Sequence, residues 1–190
     1  MTASSVSRRD FIHAAPLAVL LGPASLSWQE ALDTQQEDKR VGFAADFTEA
    51  EARLVAGSPM AQEIAGLNGQ GYPCSEMILL AALRYMELPE KYLDSAAVFG
   101  GGVGKRDLCG LLTGGLMAIG FAAGEKYEDR SEMHRAGRQL SNEYWDWWIS
   151  RGDVHCMGSN TTHENSDEFV RMCQRAAVRV EQLLRSMRST

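Results

Sequence analysis

The sequence predicts an all-α protein, one compact helical domain of about five to seven helices. Three observations carry this. Apolar residues recur at helical spacing in several separate stretches. Helix-start signals stand directly before those stretches. No run with the two-residue alternation of a strand lies between them. Of the 190 residues 45% are hydrophobic, enough for a single core. A net charge of −6 argues against nucleic acid as a partner, because binders of nucleic acid carry a basic patch or stripe.

The first residues read as an address rather than as part of that domain. Ser7-Arg8-Arg9-Asp10-Phe11 is followed by a weakly apolar stretch from Ala14 to Leu26, interrupted by Pro16, Gly22 and Pro23. A basic pair before a short apolar region resembles a twin-arginine export signal. The stretch is too short to span a bilayer, which takes about 20 apolar residues. The resemblance implies that the export machinery of that route is a partner and that the protein reaches the periplasm already folded. It also raises the expectation of a cofactor loaded before export. Such a compartment permits disulfides. The expected organisation is a signal over 1–27, a polar linker over 28–45, and a four-cysteine domain over 46–190.

Within the domain, Thr48 with Glu51 forms a capping box for a helix ending near Ala56. Pro59 opens a second helix, to Leu67. Asn68-Gly69-Gln70-Gly71 marks a turn. Ser75 to Met86 has helical apolar spacing, and Pro89 starts a further short helix. Gly100-Gly101-Gly102-Val103-Gly104 is a hard break. It is not a phosphate cradle, since no Gly-Lys-Ser/Thr follows and no strand precedes it.

Leu108 to Ala123 is apolar and rich in glycine. Each glycine costs a helix about 1 kcal/mol against alanine, so a compensating reason is expected. Gly110 and Gly114 are four apart and share a face, where another helix or a cofactor can approach the backbone. Ser131 to Arg151 is amphipathic and holds Tyr144-Trp145-Asp146-Trp147-Trp148, readable as core or as a contact surface. Gly152 to Asp167 reads as a loop, and a last helix starts near Ser166 and runs to about Met187.

The chemistry-bearing residues are Cys74, Cys109, Cys156 and Cys173. No CxxC or CxxCH occurs, so a thioredoxin-like motif, a zinc ribbon and covalent haem are unsupported. Cys74 and Cys109 both fall at predicted helix starts. Unpaired N–H groups and the helix dipole favour an anion there, so a lowered thiol pKa is expected at both. Glu76 lies one residue beyond Ser75, where its charge suits the helix start. His155 and His163 share the loop with Cys156 and are candidates to replace a thiolate in a Cys/His metal site.

Cys74-Ser75-Glu76, the Phe99–Gly104 loop, Cys109-Gly110-Leu111-Leu112-Thr113-Gly114, and then single Cys156 and Cys173, resemble a family of redox-active proteins named for its C, GCAxxG, C, C cysteine pattern. The resemblance covers about Gly71 to Leu184. It implies a redox role and, since members are often found beside transport functions, a membrane transporter or an electron-transfer protein as partner.

The residues leave the use of the cysteines open. Two structural disulfides are one reading. Dithiol/disulfide exchange is another. Four thiolates holding an iron–sulfur centre or another metal is a third. Cys74 with Cys109 is the expected primary pair, and Cys156 with Cys173 the secondary one. A disulfide-stabilised accessory module without catalysis, using the Tyr144–Trp148 aromatics as a contact surface, is the competing function.

Overall fold

A computed structural model describes Phe43, residues 46–156 and residues 166–189. Among these residues there are six α-helices, one 3₁₀ helix and no strand. The helices are α1 (Glu49–Ala56), α2 (Pro59–Leu67), α3 (Cys74–Met86), α4 (Gly110–Lys126), α5 (Arg130–Ile149) and α6 (Asp167–Ser189), with the 3₁₀ helix at Glu90–Phe99 between α3 and α4. The all-α expectation holds. The signal and most of the expected linker lie outside the described residues.

Local chemistry accounts for the helix starts. The Thr48–Glu51 capping box is present: the Glu51 N–H donates to Thr48 Oγ1 at 3.2 Å, and the Thr48 N–H donates to Glu51 Oε2 at 3.1 Å. Pro59 occupies the first turn of α2 behind the N-cap Ser58, whose hydroxyl accepts from the Ala61 N–H. The buried carboxylate of Glu181, on α6, accepts from the Ser58 hydroxyl and the Met60 N–H, so α6 caps α2 from across the core. Asp129 caps α5 through the Glu132 N–H.

Glycine-rich α4 is the centre of the bundle, packed against α3, α5, α6 and the 3₁₀ helix. Its compensating reason is close helix approach. A Cβ on Gly114 would stand 2.4 Å from Ser75 O and 2.5 Å from Ile78 Cγ2, both on α3. A Cβ on Gly115 would stand 2.5 Å from the Tyr144 ring on α5. A side chain at either position would force the neighbouring helix away. α3 contributes Ile78, Leu79, Leu80 and Leu83 at 0% exposure. Each is worth about 1.5–3 kcal/mol relative to an exposed side chain.

Tyr144 and Trp148 are buried, and Trp145 and Trp147 are half-buried. The aromatic run is therefore mainly core, which removes most of the contact surface expected of it. Phe43, in the stretch read as linker, is 1% exposed and packs its ring on Trp147 and Trp148. Arg175 on α6 clamps the same end. Its Nε and Nη2 donate to the two Glu51 carboxylate oxygens at 3.1 Å each. Its Nη1 and Nη2 reach Phe43 O and Asp46 O, and its guanidinium stacks on Phe47. Among the described residues no helix is long and apolar enough to cross a membrane.

Candidate functional site

Cys74 is the first residue of α3, directly after the N-cap Pro73, whose φ of −65° is the one its ring imposes. Cys109 is the N-cap of α4. Two helix starts therefore meet, as the sequence predicted. The closeness is extreme: a Cβ on Gly110 would stand 2.3 Å from Cys74 Sγ and 2.8 Å from Ser75 N. Three backbone N–H groups, of Gly101, Gly110 and Ser75, bond to the Cys74 sulfur and favour its anion. The N–H groups of Leu111 and Leu112 do the same for Cys109.

The glycine-rich loop closes over this junction in an unusual backbone. Gly101, Gly102, Val103 and Gly104 have φ of 60°, 62°, 58° and 65°, a short left-handed turn. Glycine enters that region freely, but a β-branched valine is strained there. Strain of this kind costs about 1–3 kcal/mol and concentrates at functional sites. The loop is interlocked with its surroundings. A Cβ on Gly100 would stand 2.4 Å from Pro73, and one on Gly102 would stand 2.7 Å from Cys156 Cβ.

Cys156 reaches the site through a single antiparallel bridge, Leu108 to His155. The Cys109 N–H donates to Val154 O at 2.7 Å, and the Cys156 N–H donates to Asp107 O at 2.6 Å. Residues flanking a bridged pair point to the face opposite that pair, so Cys109 and Cys156 share a face. Cys173, on α6, adds the fourth thiol. Cys74 and Cys109 lie within electrostatic reach of one another, of Cys156 and of Cys173. All four are thiols in this structure.

The thiols differ in environment. Cys74 and Cys156 are half-buried, whereas Cys109 is 4% exposed and Cys173 1%. Burial pushes the pKa of Cys74 up despite its three N–H donors, and a charge on Cys156 pushes it further. Burial likewise drives Cys109 and Cys173 far above the usual thiol range, with the neighbouring sulfurs adding to it. This overturns the expectation of lowered values. The helix starts do supply the donors, but loss of water around the sulfur outweighs them.

The remaining described candidates, His155 and Glu76, have other surroundings. Exposed His155 has Nδ1 at 2.6 Å from Asp153 Oδ1 and Nε2 at 3.7 Å from Asp107 Oδ1. Its ring is thus held at the surface by carboxylates. His163 lies outside the described residues. Glu76 stands half-buried in the first turn of α3, the position its charge suits. Among the described residues no three His, Cys, Asp or Glu side chains are grouped to hold a metal ion. Among these residues the donor set as placed does not fit a metal or iron–sulfur centre.

Three contributors escaped sequence reasoning. The Ser75 and Gly101 amides carry no side-chain signal at all. Tyr144 borders both Cys109 and Cys173 and donates its hydroxyl to Leu111 O at 3.1 Å. Only its fit against Gly115, far from it in the sequence, places it there.

Residues 72–187 match the family described as "Putative redox-active protein (C_GCAxxG_C_C)". The chain belongs to this family. All four cysteines fall inside the matched segment, which begins two residues before Cys74. The family pattern has alanine after its second cysteine, where this chain has Gly110. The contact of Cys74 Sγ with the α4 backbone depends on that difference. No curated protein and no solved structure gives a significant match.

Proposed function

We propose that this member of the redox-active family is exported and performs thiol–disulfide exchange, with Cys74 as the reacting thiol and Cys109 as its resolving partner. The observation that carries the reading is the setting of Cys74. It is partly exposed, three backbone N–H groups meet its sulfur, and Cys109 adjoins one of those donors, Gly110.

The exchange runs through sulfur alone. Cys74 loses its proton and its sulfur attacks one sulfur of a substrate disulfide. A mixed disulfide forms, the substrate S–S bond breaks, and the leaving thiolate takes up a proton. The Gly101, Gly110 and Ser75 N–H groups stabilise the negative charge while it resides on Cys74. Cys109 then attacks the Cys74 sulfur, forming Cys74–Cys109 and releasing the second substrate thiol. Buried Cys109 meets no substrate directly, which suits a resolving role. The Ser7-Arg8-Arg9 signal supports an oxidising destination, where disulfide substrates persist.

The test is trapping with oxidised glutathione. The Cys109→Ala, Cys156→Ala double variant should hold a glutathione adduct on Cys74, while the wild type should release glutathione and gain an internal disulfide. Failure of Cys74 to form any adduct or disulfide would overturn the reading.

A further inference from the structure

The exchange just described leaves two thiols unused, and their placement is not random. The sulfurs form two layers. Cys74 and Cys156 are the half-buried outer layer, both covered by the left-handed glycine turn: Gly101 donates to Cys74, and Gly102 abuts Cys156. Cys109 and Cys173 are the inner layer, 4% and 1% exposed. They sit on packed elements, Cys109 capping α4 and Cys173 on α6, and both border the buried Tyr144 ring. Cys109 faces both layers, since it lies within reach of Cys74, Cys156 and Cys173.

We propose that the four cysteines are a disulfide relay that stores four electrons, with Cys109–Cys173 as the inner disulfide and Cys74–Cys156 as the outer one. The proposal rests on the exchange reading above. The first substrate disulfide oxidises Cys74 and Cys109. Cys173 then attacks the Cys109 sulfur, so the Cys74–Cys109 bond breaks, Cys109–Cys173 forms, and Cys74 is released as a thiol with the proton that Cys173 gave up. A second substrate disulfide oxidises Cys74 again, and Cys156, on the outer layer, resolves it. Two substrate disulfides become four thiols, and the four protons come from the four cysteines.

This order follows from access. An external disulfide meets the outer layer, whereas the inner thiols are walled off by the core and exchange only with a neighbouring sulfur. Intramolecular attack depends on which thiol can reach the disulfide sulfur and on its thiolate fraction. Cys109 is placed to hand oxidation inward, because it caps α4 beside Cys74, is 4% exposed, and lies within electrostatic reach of Cys173.

The experiment is exhaustive oxidation of the reduced full chain with oxidised glutathione, followed by acid quench, thiol counting in denaturant and peptide mapping. The wild type should lose all four thiols and yield Cys109–Cys173 and Cys74–Cys156. The Cys156→Ala variant should yield Cys109–Cys173 with glutathione left on Cys74. The Cys74→Ala variant, checked for retained helical circular dichroism, should keep Cys109 and Cys173 as thiols over the time in which the wild type oxidises fully. The relay is overturned if the wild type stops at one disulfide, if Cys173 is recovered joined to Cys156, or if the inner pair oxidises equally fast without Cys74. A Cys74 that forms an adduct and a single disulfide but never oxidises Cys173 would sink the relay and leave the simple exchange standing.

Discussion

Two glycines on α4 offer a controlled test of the packing that builds the site. Gly114 and Gly120 are both interior residues of the same helix, so replacing either with alanine gains the same propensity, about 1 kcal/mol. Their surroundings differ completely. A Cβ on Gly120 has nothing within 4 Å, whereas one on Gly114 would stand 2.4 Å from Ser75 O and 2.5 Å from Ile78 Cγ2. Ordinary contact lies near 3.5 Å, so α3 must move away by about 1 Å. Ser75 O is backbone and cannot swing aside, which puts the overpacking cost near the upper end of the usual range, about 3 kcal/mol. Gly120→Ala should therefore stabilise the protein by about 0.5–1 kcal/mol, and Gly114→Ala should destabilise it by about 2 kcal/mol. Urea unfolding midpoints at unchanged slope read both values. Because Ser75 supplies one of the donors to Cys74, Gly114→Ala should also change the alkylation rate of Cys74 in the folded protein, and Gly120→Ala should not. Equal stability changes in the two variants, or a Gly114→Ala protein as stable as the wild type, would refute the close α3–α4 approach.

Other outcomes follow from burial and charge. Alkylation of Cys74 by iodoacetamide should be slower at pH 8 than that of an unhindered thiol and should still be rising with pH at 9.0, because its pKa is raised above that value; a rate that levels off below pH 9.0 contradicts the site as described. The raised values at Cys109 and Cys173 act on stability with the same sign: it is fully present below the unfolded thiol pKa and is lost as pH rises past it, so alkaline unfolding midpoints should fall. Glu51 behaves oppositely. The Arg175 guanidinium is the main cause holding it from 4.5 down to about 2, so the stability it contributes is present above pH 4.5 and fades as pH falls toward 2. Glu51→Gln should flatten that acid limb and, by leaving buried Arg175 without its carboxylate, cost about 3 kcal/mol by urea unfolding at pH 7. Phe43→Ala should cost about 3–5 kcal/mol and shift tryptophan emission to the red, since its ring covers Trp147 and Trp148.

The sequence alone determined the helices and their starts, because these are local properties. Thr48 with Glu51, Pro59, and the apolar periodicity of α3 and α6 each act within a few residues of themselves. It also placed Cys74 and Cys109 at helix starts and gave Gly110 and Gly114 a shared face, since spacing on a helix fixes direction. Tertiary structure decided the rest. Whether a thiol at a helix start is acidic depends on the competition between its N–H donors and its loss of water, and burial is set by what packs around it. That packing drove Cys74 and Cys109 above the usual range. It also turned Tyr144 and Trp148 inward, held His155 on surface carboxylates, and brought Cys156 beside Gly102 through one backbone bridge. Contacts between residues distant in the chain leave no periodic trace in it, so the layering of the sulfurs became visible only once the helices were packed.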